Sequence, residues 1–179
     1  GDIEHIIKET FDAKYIYLVQ GDGASVVPAL MHHFRFNHVF YTGSTAVGKL
    51  IYEMAAKQLV PVTLELGGKS PCVVEQDADI KIAARRIALT KFSNAGQMCV
   101  APDYVLVHHS QKEALVQALQ QTIEQFFTTD PSTSSSYGRI INEKQFYRLL
   151  KYLDHGTVVY GGKYDVATNY LAPTLMTDV

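Results

Sequence analysis

Short runs rich in β-branched and aromatic residues alternate with segments of helical period along most of this 179-residue chain, and that alternation limits the fold more than any other feature. Strand-like runs fall at 15–19, 38–41, 62–66, 71–74 and 104–108, and helical segments at 25–33, 45–58, 79–94, 111–127 and 142–153. A strand with one apolar face and a helix with one apolar stripe must cover each other, so this order predicts an α/β fold with a largely parallel sheet. Ser110, with Glu113 three places on, reads as a capping box opening the helix at 111–127. Leu115, Leu119 and Ile123 read as core by their spacing, and Tyr15 and Tyr17 as core or interface. The stretch 128–137, with Pro131 and its hydroxyl residues, reads as a surface loop.

A formal net charge of −2 and no clustered Lys/Arg run argue against recognition by phosphate neutralisation, so no nucleic-acid partner is expected. Two cysteines, Cys72 and Cys99, are too few for a disulfide framework and suit a reducing, cytoplasmic setting. No run approaches the roughly 18 apolar residues of a membrane span. The start, with Asp2, Glu4 and Lys8, is no signal peptide. The chain is therefore expected to be soluble and intracellular, with an anchor outside it left open. The histidine pairs His32-His33 and His108-His109 point their members apart on either a strand or a helix, so no metal site is expected.

Three segments carry chemistry. Cys99 closes the run Phe92-Ser93-Asn94-Ala95-Gly96-Gln97-Met98-Cys99, a glycine-bearing turn between a helix and an apolar strand, where a thiol reaches a cleft and backbone donors can face an oxyanion. Cys72 sits in an apolar run with no polar neighbour and reads as structural. Glu65 interrupts Val62-Thr63-Leu64-Glu65-Leu66, either as a strand residue facing solvent or as a general base facing a cleft beside Gly67-Gly68. Gly43-Ser44-Thr45-Ala46-Val47-Gly48-Lys49-Leu50 follows a strand and opens a helix, the setting that favours a phosphate. It nearly spells a P-loop, but Leu50 lacks the hydroxyl that motif needs after its lysine, which weakens the reading as a nucleotide hydrolase.

Taken in order, Gly43 to Lys49, Glu65-Leu66-Gly67-Gly68-Lys69 and Gly96-Gln97-Met98-Cys99 resemble the aldehyde dehydrogenase superfamily. Val100-Ala101-Pro102-Asp103-Tyr104 and Tyr170-Leu171-Ala172-Pro173-Thr174 are similar to its class 3, or fatty-aldehyde, branch. The resemblance implies a chain that is an internal fragment: 1–66 as the latter part of an NAD(P)-binding domain of Rossmann-like build, and 67–179 as most of a catalytic domain. It implies Cys99 as nucleophile and Glu65 as the base for deacylation. Gly43, Ser44, Thr45, Ala46, Val47 and Gly48, with Leu66 and Gly67, would lie along NAD or NADP. The implied activity is aldehyde oxidation through a cysteine thioester in a homodimeric parent, with the isolated piece weak or inactive. Asn94 is not the family's oxyanion asparagine, which would lie before this chain. A non-catalytic scaffold on the same fold is the rival reading.

Overall fold

A parallel pair of strands needs a crossover, and the chain builds two such βαβ units. The computed structural model describes residues 1–179, and the chain separates into two units, Gly1–Leu66 and Gly67–Val179.

The first unit holds α1 (Asp2–Thr10), α2 (Gly23–His33), β1 (Val39–Gly43), α3 (Thr45–Ala56) and β2 (Val62–Leu66). β1 and β2 pair in parallel from Val39↔Val62 to Gly43↔Leu66, with α3 as the crossover. Met31, Ala55 and Val60 form a small core, joined by Val27, Val39, Met54 and Val62. Gly48 lets α3 approach the strands closely, since a Cβ there would stand 2.9 Å from Leu66 Cδ2. The run 15–19 is not a strand. Asp12 takes it into a turn instead, its carbonyl accepting from Tyr15 N at 2.9 Å and its carboxylate from Lys14 N at 2.9 Å. No strand lies alongside to offer a ladder, and Tyr15 and Tyr17 are exposed rather than core.

The second unit begins with β3 (Ser70–Val74), α4 (Ile80–Phe92), β4 (Pro102–Val107) and α5 (Lys112–Phe127). It continues with α6 (Glu143–Leu150), β5 (Thr157–Tyr160), β6 (Tyr164–Asp165), β7 (Tyr170–Leu171) and β8 (Leu175–Thr177). β3 and β4 are parallel, with Cys72 opposite Val105 and Val74 opposite Val107. Asp79 caps α4 by accepting from Ile82 N at 3.0 Å, and Asn142 caps α6 by accepting from Gln145 N at 3.0 Å. The core joins Val74 to Ile87 and Phe92 of α4 and to Leu115, Leu119, Ile123 and Phe127 of α5.

Two expectations are corrected in this unit, and a third is refined: 128–137 is a mostly exposed loop, as expected, but pinned at two points. The Ser110–Glu113 capping box does not form. Ser110 lies in a 3₁₀ turn, His109–Gln111, where its hydroxyl pairs with His108 Nδ1 at 2.8 Å, and α5 starts without a side-chain cap. The histidine, two residues away, outcompetes a helix that begins one turn later. Within 128–137, Pro131 and Tyr137 are buried, and Tyr137 stacks edge-on against Phe127 at 5.0 Å. After residue 153, two antiparallel pairs appear, β5 with β8 and β6 with β7. Their strands, two to four residues long, are too short to show a period of two in sequence. The result is the expected α/β fold, with parallel pairs first and antiparallel pairs at the end.

Candidate active site

The turn between β1 and α3 is made by local bonds. Ser44 is the N-cap of α3: its Oγ accepts from Val47 N at 3.4 Å, its carbonyl accepts from Gly48 N at 2.9 Å, and Tyr41 OH donates to that carbonyl at 3.5 Å. The first-turn N–H groups of Thr45 and Ala46 have no intrahelical acceptor. Gly43, Ser44, Thr45, Ala46 and Val47 are all exposed, whereas Gly48 is buried under Leu66. The register sets Glu65 opposite Thr42 and Leu66 opposite Gly43. Thus Glu65, Leu66 and the 43–48 turn share the carboxyl end of one parallel pair, the edge where α/β folds take ligands. Glu65 is exposed there. An open helix N-terminus with unpaired N–H groups is a setting that fits the phosphates of a dinucleotide.

Across Gly67–Val179 the geometry gathers around Cys99. Gly67 faces open space, and a Cβ on Gly68 would stand 3.8 Å from the carbonyl oxygen of Cys99, so the diglycine runs beside the cysteine backbone. Lys69 pairs with Asp103 at 2.9 Å, and that hydrogen bond raises the lysine's pKa. Half-buried Lys91 has its pKa lowered by loss of solvent. Cys99 is exposed, while Cys72 is partly buried against the core. Cys99 occupies a turn that Ala101 N closes on Met98 O at 3.2 Å, just before β4. Its own N–H donates to no protein acceptor.

The approach to that turn is more than the end of α4. Asn94, Ala95 and Gly96 are left-handed in succession, with φ of 49°, 53° and 80°. For Asn94 and Ala95 this costs on the order of 1 kcal/mol each. Gln97 holds the strained run in place: Nε2 donates to Asn94 O and to Arg139 O, both at 3.0 Å, and Oε1 accepts from Ile141 N at 2.9 Å. Arg139 in turn donates to the carbonyls of Ser132 at 2.7 Å and Tyr137 at 3.2 Å, and lies 4.9 Å over the Tyr170 ring. Gln97 stands in the Gly96–Cys99 motif without an expected role, and Arg139 carries no sequence signal at all. Their contact spans 42 residues, and no local pattern signals it.

Cys99 and Glu65 belong to different units. No group of three or more His, Cys, Asp or Glu side chains is placed to hold a metal ion.

Residues 3–179 match the aldehyde dehydrogenase family. The 4,4'-diaponeurosporen-aldehyde dehydrogenase of Staphylococcus aureus is 47% identical over 179 residues, covering 99% of this chain and 39% of that protein. The dimeric NADP-preferring aldehyde dehydrogenase of Rattus norvegicus is 48% identical over 164 residues, covering 92% of this chain and 36% of that protein. Among solved structures, the substrate-bound state of Staphylococcus aureus AldH matches with a TM-score of 0.92 and 46% identity, over 99% of this chain and 39% of that one. The chain spans under two fifths of the length of these relatives.

Proposed function

This chain belongs to the aldehyde dehydrogenase family, and on that premise we propose that the whole protein oxidises aldehydes to carboxylic acids with NAD⁺ or NADP⁺, using Cys99 as nucleophile and Glu65 as base. The observation that carries the reading is Cys99 itself: an exposed thiol in the turn that follows a left-handed segment, with its own backbone N–H free to meet an oxyanion. The Cys99 thiolate adds to the aldehyde carbon, forming a carbon–sulfur bond, and the Cys99 N–H steadies the oxygen of the thiohemiacetal. A nicotinamide cofactor, when bound, would supply the acceptor for the hydride lost from this carbon. Glu65 then takes a proton from water, whose oxygen attacks the resulting thioester. The carbon–sulfur bond breaks, releasing the acid and restoring Cys99.

Gly43, Ser44, Thr45, Ala46 and Val47 form the cradle for the dinucleotide, with Leu66 and Gly67 at the strand end. Gly48 serves it from behind by letting α3 sit close to Leu66. On this reading, 1–66 belongs to the cofactor domain and 67–179 to the catalytic domain. The rat relative is named as dimeric and NADP-preferring, and we extend the homodimeric state to the whole protein, to be checked by sedimentation. No helix is long and apolar enough to cross a membrane. Two free cysteines support a reducing, cytoplasmic setting, which fractionation would check.

The test is the absorbance of reduced cofactor formed by the whole protein with an aldehyde. Cys99→Ala is expected to abolish it. Glu65→Gln is expected to leave a burst of one turnover and to slow the steady state by about 10²–10⁴-fold. A Cys99→Ala protein with undiminished turnover overturns the assignment.

A further inference from the structure

The segment leading into the Cys99 turn has only short local bonds of its own, from Gln97 N to Asn94 O at 3.1 Å and from Asn94 Nδ2 to Gln97 O at 3.5 Å. Asn94 and Ala95 are held at φ of 49° and 53°, and such conformations persist only where the surroundings over-determine them. The group that ties this segment to distant backbone is the Gln97 side chain. Its amide has two protons and both are used, one on the carbonyl of Asn94 inside the turn and one on the carbonyl of Arg139 outside it. Its oxygen takes the N–H of Ile141. Two carbonyls and one N–H admit only one orientation of the amide, so the group is locked against a flip.

The far anchor is equally fixed. Arg139 is tied to the carbonyls of Ser132, Tyr137 and Gly138, and the residue between the two contacts, Ile140, is buried and donates its N–H to Asn169 O at 3.1 Å. Gln97 thus staples the strained turn to a rigid segment 42 to 44 residues away, and Cys99 follows two positions later.

We propose that Gln97 is a positioning residue: through its bonds to Arg139 and Ile141 it sets the direction in which the Cys99 sulfur and N–H face a substrate carbonyl. This rests on the reading of Cys99 as nucleophile. Most of the unit's core comes from α4, α5 and β3, with Tyr137, Tyr170 and Ala172 joining it and Ala95 packed against its edge, so releasing the staple turns the cysteine aside while the packing of α4, α5 and β3 stays in place. Misplacing a reacting atom by about 1 Å lowers a rate about 10²-fold, which sets the scale of the effect.

The experiment compares three variants of the whole protein. Gln97→Met keeps the length of the side chain and removes all three bonds. Gln97→Asn keeps an amide but falls a methylene short of the 139–141 backbone. Gln120→Met is the control, because Gln120 makes a comparable long-range bond, to Val159 O at 3.3 Å, in the same unit. Both Gln97 variants are expected to lower kcat by about 10- to 100-fold while KM stays within about threefold. The rate of iodoacetamide labelling should change at Cys99 and not at Cys72. Gln120→Met is expected to keep kcat within about twofold even where its melting midpoint shifts as much.

If Gln97→Met does not fold, Gln97→Asn decides by the same criteria. A kcat for the Gln97 variants equal to that of Gln120→Met, with unchanged Cys99 labelling, overturns the positioning role. That result beside an inactive Cys99→Ala leaves the nucleophile assignment standing. A fully active Cys99→Ala removes the assignment itself, whatever Gln97 does.

Discussion

Two glycine-bearing turns of this chain, one entering α3 and the other leaving α4, are built by different means. The first is closed by bonds no more than four residues long, from Tyr41 to Ser44 and from Ser44 to Val47 and Gly48. The second runs through three successive left-handed residues and, besides local bonds between Asn94 and Gln97, is held by a side chain that reaches 42 and 44 residues onward. A cradle for phosphates needs only N–H groups at a helix start, which a strand and a cap provide locally. A nucleophile must also be aimed, and aim requires anchors fixed by the tertiary structure. The first turn is therefore expected to tolerate damage to distant packing, and the second to feel it.

The largest test removes the packing behind the second turn. Ile123, with no exposed surface, lies in the α4–α5 core, and Ile123→Ala is expected to cost about 3–4 kcal/mol. Urea denaturation reads that loss, and faster alkylation of Cys99 would show that the turn loosens with the core. Unchanged alkylation at that cost would break the contrast.

A direct attack on the strain comes next. Ala95 is left-handed, and Ala95→Val places a β-branched side chain where the backbone resists it. We expect a loss of about 2 kcal/mol, against a shift within about 0.5 kcal/mol for Val47→Ala on the exposed face of α3.

Tyr137 supplies a pH test. Its hydroxyl donates to Leu171 O at 3.0 Å, and burial pushes its pKa well up. Because the folded value lies above the unfolded one, the stability it contributes is complete below about pH 10 and falls as pH rises, by about 1.4 kcal/mol per pH unit. Tyr137→Phe should lose about 1 kcal/mol near neutrality, for the missing hydrogen bond, and should flatten the fall above pH 10 by one proton's worth. Denaturation curves across that range check both signs; an equally steep fall in the variant would show that Tyr137 is not its source.

The smallest effect is local to the first turn. Ser44→Ala removes the α3 cap and is expected to cost about 1 kcal/mol, with no change in the labelling of Cys99.

Those same turns show why part of the molecule is legible in sequence and part is not. Leu115, Leu119 and Ile123 mark a buried stripe by spacing alone, whereas the caps at Ser44, Asp79 and Asn142, though they act within three residues, are identified only by their hydrogen bonds in the structure. The run at 15–19 has strand composition but no partner strand, and Asp12 turns it instead. Ser110 had two possible partners, and a histidine two residues away took it. The pairs β5–β8 and β6–β7 depend on neighbours brought together only by folding.

The sequence alone determined the family, the α/β order and five of the six helices, all but α1, because periodicity and motifs act through neighbours one or two turns apart. Tertiary structure decided which short runs became strands and how the turn before Cys99 is held. A left-handed segment and an amide bonded across 42 residues gain their stability only when distant backbone is already in place.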